Sequence, residues 1–130
     1  MIVVDASIVV TALADDGADG DLVRTRLRGE LLAAPHVIDI EVLSAWRRLA
    51  AAGDLDDRRA SLAIEDLRSL RMQRAAHGPL LERCWELRDN VTPYDALYVA
   101  LAEAAGATRV TADAKLAAAP GPTCQIELIG

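Results

Sequence analysis

A helix that must stop and turn straight into a short buried strand constrains this chain more than any other stretch. Residues 92–111 read TPYDALYVALAEAAGATRVT. Thr92 is a natural N-cap and Pro93 suits the first helical position. Leu97, Val99, Ala100 and Leu101 then make a largely apolar helix, which Gly106 ends. Thr108 to Thr111 is short and β-branched, as a buried strand would be. Asp95 and Asp113 therefore fall at element ends, where a rigid scaffold can aim both at one point.

The rest of the chain repeats this alternation. Ile2-Val3-Val4 is a continuous apolar run, the mark of a strand buried on both faces in a parallel sheet. Asp5 follows at its C-terminal end, where open α/β sheets bind ligands. Ser7 is a candidate cap for a helix through Ile8, Val9, Val10 and Leu13, although Asp5 is itself a favoured cap residue. Asp15 to Asp21 reads as an acidic, Gly-rich turn. Leu22 to Arg28 reads as a short helix with Leu22, Val23 and Leu27 inward and its arginines outward. Leu31 to Ala34 is a second strand closed by Pro35. A helix over 36–52 carries Val37, Ile38, Val42, Ala45, Trp46 and Leu49 on its apolar stripe and stops at Gly53. A second amphipathic helix over 55–70 has acids early and arginines late, matching the helix dipole. Residues 71–76 form a short strand or a connector. Pro79 opens a helix ending near Asn90, with Trp85 in the core, and Cys124 to Ile129 is the last strand. The pattern predicts an α/β fold with a mostly parallel sheet between helix layers. With 130 residues, a single domain spanning 1–130 is expected, with a real core.

Composition narrows the function. The 52% hydrophobic content argues against disorder. No apolar run reaches membrane-spanning length, and MIVVDAS lacks the basic start of a signal peptide, so a cytoplasmic protein is expected. Cys84 and Cys124 lie far apart and are read as reduced thiols. A net charge of −6 gives no bulk electrostatic support for nucleic-acid binding. An acidic protein can still act on a polyanion if metal ions neutralise its site and arginines flank it. Trp46, Trp85, Tyr94 and Tyr98 are the only aromatics, so a base-stacking platform is not expected. His77 has no second ligand at metal spacing beside it.

Four carboxylates stand out: Asp5, Glu41, Asp95 and Asp113. Glu41 lies on an apolar helix face, and no basic residue sits three or four positions away. A carboxylate there is costly unless paired or bound to metal; the alternative places it at the solvated edge of the stripe. Thr92-x-x-Asp95 also fits a capping box, and Asp113 can cap a following short helix. If the sheet gathers the four, they repel without a cation, and some pKa values rise. Hard oxygen donors suit Mg²⁺ or Mn²⁺. Such a site can activate water for in-line attack on a phosphodiester. No Ser-His-Asp set, P-loop or GxGxxG competes.

Four segments taken together carry a resemblance: IVVDAS with Asp5, APHVIDIEVLSAW with Glu41, TPYDALYVALAEAAGA with Asp95, and RVTADAKL with Thr111 and Asp113. In this order and at this length the chain resembles PIN-domain proteins, specifically VapC-type ribonuclease toxins of toxin–antitoxin pairs. The resemblance covers essentially the whole chain. It implies a three-layer α/β/α fold with a twisted parallel sheet of about four to five strands. It implies Mg²⁺- or Mn²⁺-dependent endonucleolytic cleavage of RNA. It implies that Asp5, Glu41, Asp95 and Asp113 are the acidic site residues, with Ser7 and Thr111 as polar supports. It further implies homodimers and a cognate VapB-type antitoxin. Substituting Asp5 by Asn is expected to abolish cleavage, keep the fold and relieve charge repulsion.

Two other classes compete. A PIN-like module that only binds a partner would not need all four acids. A phospho-receiver also has a first strand ending in Asp and a late Thr and Lys, here Thr111 and Lys115. However, Ala6 follows Asp5 where receivers carry an acidic pair, and no convincing phospho-acceptor Asp follows a central strand.

Overall fold

The structure is a computed structural model that describes residues 1–130, the side chain of Leu116 excepted. Five strands form one sheet: β1 (Ile2–Val4), β2 (Leu32–Pro35), β3 (Met72–Ala75), β4 (Thr108–Thr111) and β5 (Ile126–Leu128). Their spatial order is β3-β2-β1-β4-β5, and every pairing is parallel. Residues 71–76 thus contribute an edge strand. The expected α/β fold with a parallel sheet of this size is what the chain adopts.

The connections carry α1 (Ala6–Ala14), α2 (Ala18–Leu27), α3 (Ile38–Ala51), α4 (Asp57–Ser69), α5 (Leu81–Glu86), α6 (Pro93–Ala105) and α7 (Ala114–Ala118). From β1 to β3 the chain steps outward in one direction. It then returns to β4 on the other side of β1 and continues to β5. Right-handed crossovers accordingly put α1 to α4 over one face and α5 to α7 over the other. In keeping with this, α1 packs against α2, α3 and α4, whereas α6 lies on β1, β2 and β4 with α5 against it. The reversal of strand order between β1 and β4 opens a crevice at the carboxyl ends of those strands.

Local chemistry fixes the joints of this frame. Asp5 caps α1, Asp56 caps α4 and Thr92 caps α6, each through a side-chain oxygen that accepts a backbone N–H. Gly106 ends α6 with a left-handed φ of 61°, which an L side chain resists. β1 and β2 are buried along their whole lengths, as continuous apolar runs in a parallel sheet must be. Val3, Val4, Ile8, Ile38, Val42 and Val110 are fully enclosed in the main core. A second apolar cluster, including Leu87, Leu97 and Val99, joins α5 to α6.

The structure corrects several local expectations. Asp5, not Ser7, caps α1; the Ser7 hydroxyl donates to Asp5 instead. Helix α2 starts at Ala18, and Leu22 is exposed, with Val23 buried in the core. Arg24 turns inward and donates to the carbonyls of Ala12 and Asp15, at 2.9 and 2.7 Å, because the α1–α2 turn leaves them without helical donors. Gly20 permits that packing: a Cβ there would sit 1.8 Å from the Asp15 carbonyl oxygen. Trp85 is not a core residue. It is 69% exposed, with the Arg88 guanidinium 4.7 Å from its ring centroid. The short α5 directs Cys84 and Leu87 inward instead. The two cysteines are free thiols, Cys84 buried and Cys124 partly so. His77 accepts the Val37 N–H through Nε2 at 3.1 Å and so has a structural partner. No described helix is long and apolar enough to cross a membrane.

Candidate acidic site at the strand ends

Asp5 projects from the end of β1 and is only 5% exposed. Its Oδ1 accepts from Ser7 Oγ at 2.5 Å and from the Ile8 N–H at 3.4 Å. Ser7 Oγ also accepts the Ala112 N–H at 3.2 Å, tying the start of α1 to the end of β4. Thr111 is fully buried at that end, and its hydroxyl accepts the Asp113 N–H at 3.1 Å. Ser7 and Thr111 therefore each hold a backbone N–H beside Asp5 or Asp113.

Asp95 sits in the first turn of α6. Thr92 Oγ1 accepts its N–H at 3.2 Å, the N-cap half of a capping box; its carboxylate then accepts from the Thr92 hydroxyl at 3.1 Å rather than from the Thr92 N–H. The carboxylate remains part-exposed and lines an open groove. Glu41, in the first turn of α3, is half-buried rather than solvated at a stripe edge. The Tyr98 hydroxyl of α6 donates to its Oε1 at 2.6 Å. Burial pushes the Glu41 carboxyl up, the charges of Asp95 and Asp5 add to this, and the Tyr98 hydrogen bond partly opposes it. The Tyr98 phenol is itself held protonated well above its ordinary range, first by burial and then by Glu41. Glu41 thus lies within reach of the charges of both Asp5 and Asp95.

Asp113 stands apart from that trio. It is exposed, and its Oδ1 accepts the Lys115 N–H at 2.9 Å, capping the start of α7. It nevertheless shares with Asp95 an open groove of about 480 Å³, lined also by Arg88, Asn90, Thr92 and Lys115. A larger cavity of about 700 Å³ lies between α1, α3 and α4 and contains none of the four acids. Arg59 at its wall is engaged with Asp16 and the Leu13 carbonyl.

The residue that sequence reading missed is Arg109. It lies on β4 opposite Val3 of β1 and is 0% exposed. Its Nη2 is 3.3 Å from Asp5 Oδ2 and 3.8 Å from Asp95 Oδ1. Its Nη1 donates to the Asp95 carbonyl at 3.2 Å, and its guanidinium lies 5.2 Å from the Tyr98 ring centroid. Among the described residues, its Nε finds no hydrogen-bond partner. The available signal was a charged residue inside a strand bounded by Gly106 and the Asp113 turn. The β-branched neighbours Thr108, Val110 and Thr111 masked it. The pairing also changes the outlook for Asp5→Asn, because the repulsion removed would be offset by a buried guanidinium left with less compensation.

The donor set suits a hard divalent cation: all its ligating atoms are oxygens, and negative charge is in surplus. Among the described residues, no three of His, Cys, Asp or Glu stand close enough to cage an ion. Closure by three is not required, since Mg²⁺ keeps several waters and binds through one or two carboxylates.

Comparison with known proteins agrees with this architecture. The PIN domain family matches residues 2–122. The chain is 45% identical over 128 residues to Ribonuclease VapC1 of Mycobacterium tuberculosis, covering 98% of this chain and 96% of that one. It is 40% identical over 129 residues to a VapC ribonuclease of Mycobacterium bovis, covering 99% and 98%. Among solved structures it is similar to PAE2754 of Pyrobaculum aerophilum, with TM-score 0.72 and 26% identity over 98% of this chain and 83% of that one. It also shares its fold with the Mycobacterium tuberculosis toxin VapC20, described as sarcin-ricin loop cleaving. There the TM-score is 0.68, with 17% identity over 91% of this chain and 94% of that one.

Proposed function

This chain belongs to the PIN-domain family, in its VapC branch, and from that premise we propose that it is a metal-dependent endoribonuclease. It would be the toxin of a toxin–antitoxin pair, held in check by a VapB-type partner, with residues 1–130 acting as one nuclease domain and pairing as a homodimer. The observation that supports the catalytic part is that Asp5 and Asp95 come to the same Arg109 Nη2 at the strand ends, at 3.3 and 3.8 Å, with Glu41 held nearby by Tyr98.

Asp5 and Asp95 would hold Mg²⁺ or Mn²⁺, with Glu41, and Asp113 from the groove it shares with Asp95, reaching the ion through water. The ion, when bound, supplies positive charge against the phosphodiester and makes water more acidic. The protein's own part is to hold the carboxylates still. Ser7 and the Ile8 N–H fix Asp5, Tyr98 fixes Glu41, and Thr92 fixes Asp95. Arg88 and Lys115 line the groove beside Asp95 and Asp113, where an RNA backbone needs positive partners.

The test is cleavage of total cellular RNA by purified protein with Mg²⁺ or Mn²⁺, beside a chelated control and Asp5→Asn. Discrete fragments requiring both metal and Asp5 are expected. Losing an outer partner of a metal ligand already costs about 10–100-fold, so losing a direct ligand should cost more than about 100-fold. Full cleavage by Asp5→Asn would remove Asp5 from the site. No cleavage of any RNA by folded, antitoxin-free protein would favour a partner-binding module instead.

A further inference from the structure

A fully buried arginine inside an acidic cleft needs a reason. Arg109 is shut off from bulk solvent, and among the described residues its Nε finds no hydrogen-bond partner. Such a group is costly unless its charge is used. Here its guanidinium reaches between Asp5 and Asp95, at 3.3 and 3.8 Å, and lies near the face of the same Tyr98 ring whose hydroxyl holds Glu41. Asp5 and Asp95 meet this one guanidinium directly and Glu41 stands one ring away through Tyr98, so with all three ionised, three negative charges less one positive leave two. That remainder matches a single divalent ion.

We propose that Arg109 is a resident counter-cation of the cleft. It keeps Asp5 and Asp95 assembled before metal arrives, and it competes with the incoming divalent ion for their charge. This rests on the metal-dependent reading above and goes beyond it, because it assigns a positioning residue that weakens metal affinity while stabilising the metal-free fold. The physical basis is Coulombic. A fixed positive charge a few ångströms from a divalent ion, in a site of reduced dielectric, opposes that ion's binding.

The experiment is Mn²⁺ binding to wild type, Arg109→Met and Arg109→Lys, read by the electron paramagnetic resonance of free Mn²⁺ and by calorimetry. Thermal unfolding of the metal-free proteins runs alongside. Arg109→Met should bind Mn²⁺ at least about tenfold tighter and unfold at a lower temperature without metal. Arg109→Lys, which keeps the charge, should bind Mn²⁺ as wild type does. If Arg109→Met does not fold, Arg109→Gln carries the same expectation. Unchanged or weaker Mn²⁺ binding by the neutral variants overturns the counter-cation role and leaves the nuclease reading standing. Absence of Mn²⁺ binding in every variant, wild type included, overturns both. A purely structural Arg109 would lower stability without tightening metal binding.

Discussion

Glu41 and Glu103 are both partly buried glutamates on helices that pack against the core, and their surroundings push them in opposite directions. Glu103, on α6, takes two hydrogen bonds from the Arg83 guanidinium, at 2.7 and 3.1 Å. The N–H and hydroxyl of Thr123 add two more, at 2.7 and 2.8 Å. The Arg83 bonds lead in pulling its carboxyl down to about 2, against the opposing effect of burial. Glu41 moves up, first because burial strips its solvation and then because Asp95 and Asp5 are in range, while one neutral donor, Tyr98, and the charge of Arg109 only partly oppose this. The same contrast appears within α3, where Asp39 meets Arg74 at 2.8 and 2.9 Å. Elsewhere the chain matches its charges locally, as in Arg26 with Glu127 and Glu30. At the strand ends it leaves them unbalanced. An imbalance built from well-oriented side chains is what a site for a cation requires, whereas the Glu103 knot is what a stable fold requires.

Three substitutions sharpen that contrast. The largest effect should come from Tyr98→Phe, which keeps the ring and removes the donor to Glu41. RNA cleavage should fall about 10- to 100-fold, with the fold retained by circular dichroism. Cleavage at the wild-type rate would show that Glu41 needs no orientation.

Next is Glu103→Gln, which removes charge from the balanced knot and should cost about 1–2 kcal/mol in urea unfolding at pH 7. Because the folded carboxyl titrates at about 2 and its ordinary value is 4.5, the wild-type advantage should be complete above 4.5. It should fade as the pH falls from there towards 2. Cleavage should not change. A loss that is independent of pH would mean packing, not charge, holds Glu103.

Smallest should be Glu41→Gln in metal-free protein. Raised in the fold, the Glu41 carboxyl favours folding only while protonated, so that contribution is lost as the pH rises through its folded value. The Gln variant should therefore melt slightly higher than wild type at pH 7, with the gain gone below the ordinary value of 4.5. The opposite sign at pH 7 would mean that Glu41 is already compensated, and the comparison with Glu103 would fail.

By itself, the sequence determined most of the frame: four of the five strands, where α6 begins and ends, and that Asp5, Asp95 and Asp113 stand at element ends. These are local matters, set by caps, by Gly106 and by unbroken apolar runs, so a few neighbouring residues suffice to read them. Whether 71–76 is a strand or a connector was decided by its pairing with β2. The sequence also marked Glu41 as unexplained, because its helical neighbours offered no cation. Only the tertiary structure supplied its partner, Tyr98, from a helix distant in sequence. Only the structure moved Trp85 to the surface, because a helix as short as α5 has too few turns for its apolar stripe to be read reliably. Arg109 is the clearest case. Its position in β4 follows from local sequence, but its role follows from register. Pairing β4 with β1 sets it beside Val3, and the reversal of strand order there brings Asp5 and Asp95 to its guanidinium. Charge is a long-range property decided by which elements become neighbours, and no stretch of this chain encodes that neighbourhood alone.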